Sequence, residues 1–146
     1  MFFGDPYKFA IQCDIVSEWN DDYFWINGIF NIYIEGNSVI NELYTSELRF
    51  TLANITDDIL GSMTQTDNIN LVDNISSKQR KLLSISSPEM EDNSIFVYFL
   101  FSKDNDYIFL EKDGDELNFK YEKGYIMKIL LSVLDWKKRS FTKGKN

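Results

Sequence analysis

Ile95-Phe96-Val97-Tyr98-Phe99-Leu100-Phe101 is apolar at odd and even positions alike. A strand of that composition is covered on both faces, so it belongs in the middle of a sheet rather than at its edge. Working outward from it, Ser102–Asp106 reads as a turn and Tyr107–Lys112 as the next strand. Asp113-Gly114 is a hairpin signal, because both residues tolerate positive φ. Leu117-Asn118-Phe119-Lys120-Tyr121 alternates and returns as the partner strand. Gly124 then opens a helix over Tyr125–Ser140, where Ile126, Ile129, Leu130, Val133 and Leu134 recur at helical spacing. Met127 and Leu131 widen that stripe, which places the helix on the sheet.

Upstream, Gly4-Asp5-Pro6 reads as a tight turn feeding a strand over Tyr7–Val16. Tyr7, Phe9, Ile11, Cys13 and Ile15 share the apolar face of that strand. Ser17–Asp22 is a polar loop, and a second strand follows near Ile26–Glu35; Trp19, Tyr23, Phe24 and Trp25 crowd the connection either as a binding surface or, for Phe24 and Trp25, as the start of the strand filling core, the reading preferred for Trp25. Glu35-Gly36-Asn37-Ser38 is a turn into a short strand over Ser38–Ile40. Another strand begins near Glu47, where Leu48, Phe50 and Leu52 alternate with Arg49 and Thr51.

The segment Asn54–Ser87 is rich in Asn, Ser, Thr and Asp. Thr56 fits a helix N-cap, with Asp57 and Asp58 in the first turn and Ile59, Leu60 and Met63 on the apolar side. A second short helix is expected at Ser77–Ser84, and Pro88 with Glu89, Glu91 and Asp92 marks a solvated loop. The expected architecture is α+β: a mostly antiparallel sheet of about six or seven strands, one long C-terminal helix packed on it, and one or two short helices in the middle. With 146 residues and no linker long enough to divide them, residues 1–146 read as a single domain.

Composition narrows the chemistry. There is no histidine, which removes the commonest general base and metal ligand. Cys13 is the sole cysteine; it cannot pair internally and, on an apolar strand face, reads as a buried thiol. Glu111-Lys112-Asp113-Gly114-Asp115-Glu116 fails as a calcium loop. With Gly114 at the obligatory glycine, the first ligand position falls on Phe109 and the bidentate acid on Lys120. Neither a phosphate-binding glycine loop nor a nucleophile elbow is present. No catalytic residue, cofactor or metal is therefore expected.

The formal net charge is −8. Residues 137–146 hold five cations and no anion; the rest of the chain holds 10 cations against 23 anions, a net of −13. Such a body should repel nucleic acid and attract basic partners, though on charge alone the acidity reads first as keeping the protein soluble. The basic tail complements the dipole at the end of the C-terminal helix rather than forming a nucleic-acid patch. No apolar run approaches the length of a membrane span, and the N-terminus lacks the basic start and apolar core of a signal peptide, so a cytoplasmic protein is expected.

Phe3-Gly4-Asp5-Pro6-Tyr7-Lys8-Phe9-Ala10-Ile11 resembles the N-terminal signature of the bacterial immunity protein 42 family. Asn27-Gly28-Ile29-Phe30-Asn31-Ile32-Tyr33-Ile34-Glu35-Gly36 resembles the strand and turn that follow there, and the later order of apolar strand and helix also fits. The resemblance implies a cytoplasmic protein that binds and neutralises the C-terminal toxin domain of a polymorphic or contact-dependent growth-inhibition system. It carries no catalytic residues over. The acidic body suits a basic toxin such as a nuclease. Aromatics rimmed by charge have the composition of a protein-binding hot spot, and the expected toxin contacts are Glu18, Trp19, Asp21 and Asp22, then Asp104 and Asp106. Two other classes stay open: a hydrolase working with Asp and Glu alone, and a structural subunit that homo-oligomerises through its aromatic loop.

Overall fold

A computed structural model describes residues 1–20, 25–40, 45–63 and 82–141. Among them are nine strands in two antiparallel sheets and a long C-terminal helix. The α+β class holds, but the strands number more than expected and do not form one sheet.

The first sheet contains β1 (Phe2–Asp5), β2 (Phe9–Ile15), β3 (Asn27–Ile34), β4 (Asn37–Ser38) and β5 (Thr45–Glu47). Its order is β1-β2-β3, with β4 and β5 dividing the far edge of β3. Phe2–Asp5 is thus a strand in its own right, paired with Phe9–Gln12, where the sequence suggested only an entry turn. The turn itself is Pro6–Lys8. It closes through Lys8 N–H donating to the Asp5 carbonyl (2.9 Å) and Tyr7 N–H to Asp5 Oδ1 (2.9 Å). Tyr7 consequently sits outside the core, 81% exposed, against the alternation that placed it inside. Gly4 keeps its φ of +99°, and a Cβ there would stand 2.6 Å from Ile129 Cδ1, so its absence lets the long helix close on β1.

The second sheet is β6 (Leu83–Ile85), β7 (Phe96–Phe101), β8 (Asn105–Lys112) and β9 (Asp115–Glu122), in that order. The doubly apolar stretch is β7, paired on both sides, as its composition requires. Of the helix expected at Ser77–Ser84, residues 77–81 lie outside the described residues, and Leu83 and Ser84 belong to β6.

Three short helices intervene: α1 (Leu48–Thr51), α2 (Asp57–Met63) and α3 (Pro88–Asp92). At α2 the expected cap is present, Thr56 Oγ1 accepting from Ile59 N–H at 3.2 Å. The strand expected from Glu47 is instead the single turn α1. The Glu47 carboxylate accepts from Arg49 N–H (2.8 Å) and Phe50 N–H (3.3 Å), which caps a helix where alternation suggested extension. Leu48 and Leu52, four residues apart, share a face in either geometry and are both buried; Phe50 between them is turned out. At α3, Ser87 Oγ accepts from Met90 N–H (3.2 Å) and Pro88 occupies the first turn, so the expected loop is a capped helix.

α4 spans Tyr125–Ser140, with Gly124 entering it at φ +92°. It contacts β1 and β2 of one sheet and β8 and β9 of the other. The sheets share one core. Phe9 of β2 meets Phe99 of β7 edge to face, with centroids 5.6 Å apart. Tyr121 of β9 donates its hydroxyl to the Lys8 carbonyl at 2.7 Å, tying the sheets at the same end.

Candidate functional site

The β2–β3 connection starts with a 3₁₀ turn, Ser17–Trp19, that buries none of its side chains. Its base is braced by one amide. Asn20 Nδ2 donates to the Val16 (2.8 Å) and Asn27 (3.0 Å) carbonyls, while Asn20 Oδ1 accepts from Asn27 N–H at 2.7 Å. Asn27 Nδ2 in turn donates to the Trp19 carbonyl at 3.3 Å. A side chain that satisfies three backbone groups holds the loop without help from a core. Glu18 and Trp19 are therefore presented on a fixed backbone and remain exposed, Trp19 by 44%. Asp21, Asp22 and Phe24 lie outside the described residues. Trp25, expected to begin the strand and fill core, is 61% exposed.

The β7–β8 turn is closed by Ser102, whose Oγ donates to the Asn105 carbonyl (2.9 Å) and accepts from Asn105 N–H (3.2 Å). Asp104 is exposed there. Asp106, expected beside it as a toxin contact, is fully buried. Its Oδ2 accepts from the backbone N–H groups of Gly124 (3.1 Å), Ile126 (3.1 Å) and Met127 (3.3 Å). Lys123 Nζ stands 3.5 Å from Oδ1 and anchors itself on the Ser102 carbonyl at 2.7 Å. The carboxylate neutralises the positive end of α4 and satisfies donors the helix cannot satisfy itself. It has no surface to offer a partner and drops out of the candidate site. The sequence carried a signal for this: Asp106 keeps register with Ile108 and Leu110, and an acid on an apolar strand face needs an internal partner.

Glu18 and Asp104, the described exposed acids of these two loops, do not converge. The braced loop lies beyond Ile15, at one end of β2. Asp104 lies near the Phe9 end, where Tyr125 donates its hydroxyl to the Phe9 carbonyl at 3.1 Å and Asp106 caps the same helix. The six residue steps between Phe9 and Ile15 span about 20 Å of strand. Among the described residues, no group of three or more Cys, Asp and Glu is placed to hold a metal ion. Cys13 is buried in the core, and that burial pushes its thiol pKa up.

The family model for immunity protein 42 matches residues 1–136. The chain belongs to the immunity protein 42 family. Its role is that of an immunity protein, the neutralisation of a toxin, and the family points to a role other than enzymatic catalysis. No curated protein matches it. The crystal structure of CdiI from Burkholderia dolosa AUO158 is similar in fold, with a TM-score of 0.64 at 17% identity. That alignment covers 93% of this immunity protein and 99% of CdiI, so the likeness in fold extends over nearly the whole of both chains. Among the described residues, no helix is long and apolar enough to cross a membrane.

Proposed function

We propose that this immunity protein acts stoichiometrically in the cytoplasm. It binds a basic toxin domain, for which a nuclease is the best-suited class, and covers either its active site or the surface its substrate needs. The observation that carries this reading is the braced β2–β3 loop, which holds Glu18 and Trp19 at the surface although the core makes no use of them. Charges and aromatics held rigid at no benefit to the core suit recognition, since preorganisation reduces the ordering cost of binding. The contacts are Glu18 and Trp19, with Asp21 and Asp22 following in the same loop; Asp104 is a separate, second candidate.

Opposite net charge would raise the association rate and fix orientation. The same acidity disfavours nucleic acid as a ligand of the immunity protein itself. A lone cysteine, buried and unpaired, suits a reducing compartment. A tight complex would bury about 1,200–2,000 Å² in total. Co-expression with the product of the adjacent toxin gene, followed by pull-down and growth rescue, tests the reading. A 1:1 complex and restored growth are expected; absence of both with every adjacent toxin overturns it.

A further inference from the structure

Phe50, like Tyr7, stands outside the core where the alternating pattern placed it inside, and its position adds to the β2–β3 loop. Three large aromatics stand exposed around Asn27: Trp19 by 44%, Trp25 by 61% and Phe50 by 55%. They come from segments that the backbone ties together. Asn27 holds the Trp19 carbonyl through its side chain and pairs with Glu47 across the β3–β5 ladder. Leu48 N–H donates to the Ile26 carbonyl at 2.7 Å, which fixes α1 against the residue after Trp25. Given these links and the reach of the intervening residues, the three backbone positions lie within about 20 Å of one another.

Burial elsewhere explains none of the three. Leu48, Leu52 and Ile26 supply the core beneath them and are all fully buried. Glu18 and Glu47 stand on the Trp19 and Asn27 side of the group, and Arg49 and Lys137, the latter held on the Leu52 carbonyl, stand on the Phe50 side. No lysine or arginine stands between Lys8 and Arg49, a span that includes β2, β3, β4 and β5. Arg49 itself is turned toward the end of α4, donating to the Phe141 carbonyl at 3.3 Å with its guanidinium over the Phe141 ring. Glu18 sits beside Trp19 and is exposed.

We propose that Trp19, Trp25 and Phe50 form the docking face for the toxin, an aromatic centre with Glu18 at its border on a chain of net charge −8, which fits an apolar patch flanked by lysine or arginine. This deepens the reading above and rests on it. A second copy of the chain is the poorer occupant, because an isologous contact would set two chains of net charge −8 face to face, with Glu18 at the border of each. Aromatic anchors surrounded by charge are where binding energy concentrates, so most of the affinity depends on these side chains.

The wild-type chain provides the first test, by hydroxyl-radical footprinting alone and with the purified toxin domain. Trp136, only 8% exposed in the core, is the internal control. Formation of the complex should slow oxidation of Trp19, Trp25 and Phe50 several-fold and leave Trp136 unchanged. A complex that leaves the three aromatics as reactive as before overturns the docking face while the immunity reading stands. No complex at all overturns the parent reading and this inference with it. Protection that appears on concentrating the chain without toxin assigns the face to a second copy and overturns the proposed occupant. The triple variant Trp19→Ala, Trp25→Ala, Phe50→Ala should weaken toxin binding on the order of 100-fold. Its melting temperature checks that it folds, and Leu117→Ala with Leu131→Ala, at exposed apolar positions on β9 and α4, should bind as wild type. Unchanged affinity in the folded triple variant overturns the proposal.

Discussion

The β7–β8 turn and the β2–β3 loop are both acidic connections between antiparallel strands, yet the fold uses their charges in opposite ways. At the first, Asp106 is buried and gives its carboxylate to the N-terminus of α4. At the second, Asn20 does the structural work with a neutral amide, and Glu18 is left at the surface. The difference lies in the available donors. An opening helix offers unpaired N–H groups that reward a buried anion, and a hairpin base offers carbonyls and amides that a neutral side chain can match.

Removing Asp106 should break this contrast most severely. Asp106→Ala strips the acceptor from three N–H groups, two of them buried, and should cost about 3 kcal/mol, read from urea unfolding. Asp106→Asn should lose less, since its amide oxygen still accepts. A cost near zero for Asp106→Ala would mean that the helix end is solvated after all.

Gly28→Ala probes how tightly the other end is built. A Cβ there would stand 2.0 Å from the Asp14 carbonyl oxygen and 2.9 Å from Leu48 Cδ1. The backbone must shift, and a loss of about 2 kcal/mol is expected. Because Leu48 seats α1, the same change should also disturb Phe50, visible as faster exchange of its amide proton.

A smaller effect concerns the seam between the sheets. Burial first, then the neighbouring Glu35 carboxylate, raises the Tyr121 pKa above its ordinary 10. Below pH 10 the hydroxyl is protonated in both states and its hydrogen bond is intact. Above pH 10 the unfolded chain loses that proton first, so unfolding is favoured increasingly as pH rises. Tyr121→Phe should flatten this alkaline decline relative to wild type. Tyr98 is raised in the same direction and should account for part of what remains.

The smallest change in stability is expected at the loop itself. Glu18→Gln and Trp19→Ala should each stay within about 0.5 kcal/mol of wild type. Glu18→Gln should nevertheless slow toxin association at low salt, an effect that fades as ionic strength rises. Stopped-flow association measured across a salt series would show it.

Much of this was legible in the residues. α4 begins and ends where the 3.6-residue stripe and Gly124 placed it, and β7 is central because both its faces are apolar. The error at Phe50 has a simple cause. Period-2 alternation cannot separate a strand from one helical turn when only positions i and i+4 are apolar, so Leu48 and Leu52 were compatible with both, and Phe50 fell on the wrong side. Phe2–Asp5 is a strand only because Phe9–Gln12 lies beside it, a pairing that four residues do not announce.

The sequence by itself determined the class of the protein: an antiparallel α+β domain with one amphipathic helix, an acidic body, no histidine and a single cysteine. Periodicity, composition and turn chemistry are local, and each can be read along the chain. Tertiary structure decided which acids and aromatics face water. Asp104 and Asp106 differ by two positions, yet only the approach of α4 draws Asp106 inside. The backbones of Trp25 and Phe50 come near that of Trp19 only because β5 and α1 return to Asn27 and Ile26. A docking face depends on such returns, because it is a property of distances between segments far apart in sequence, and no local pattern encodes those distances.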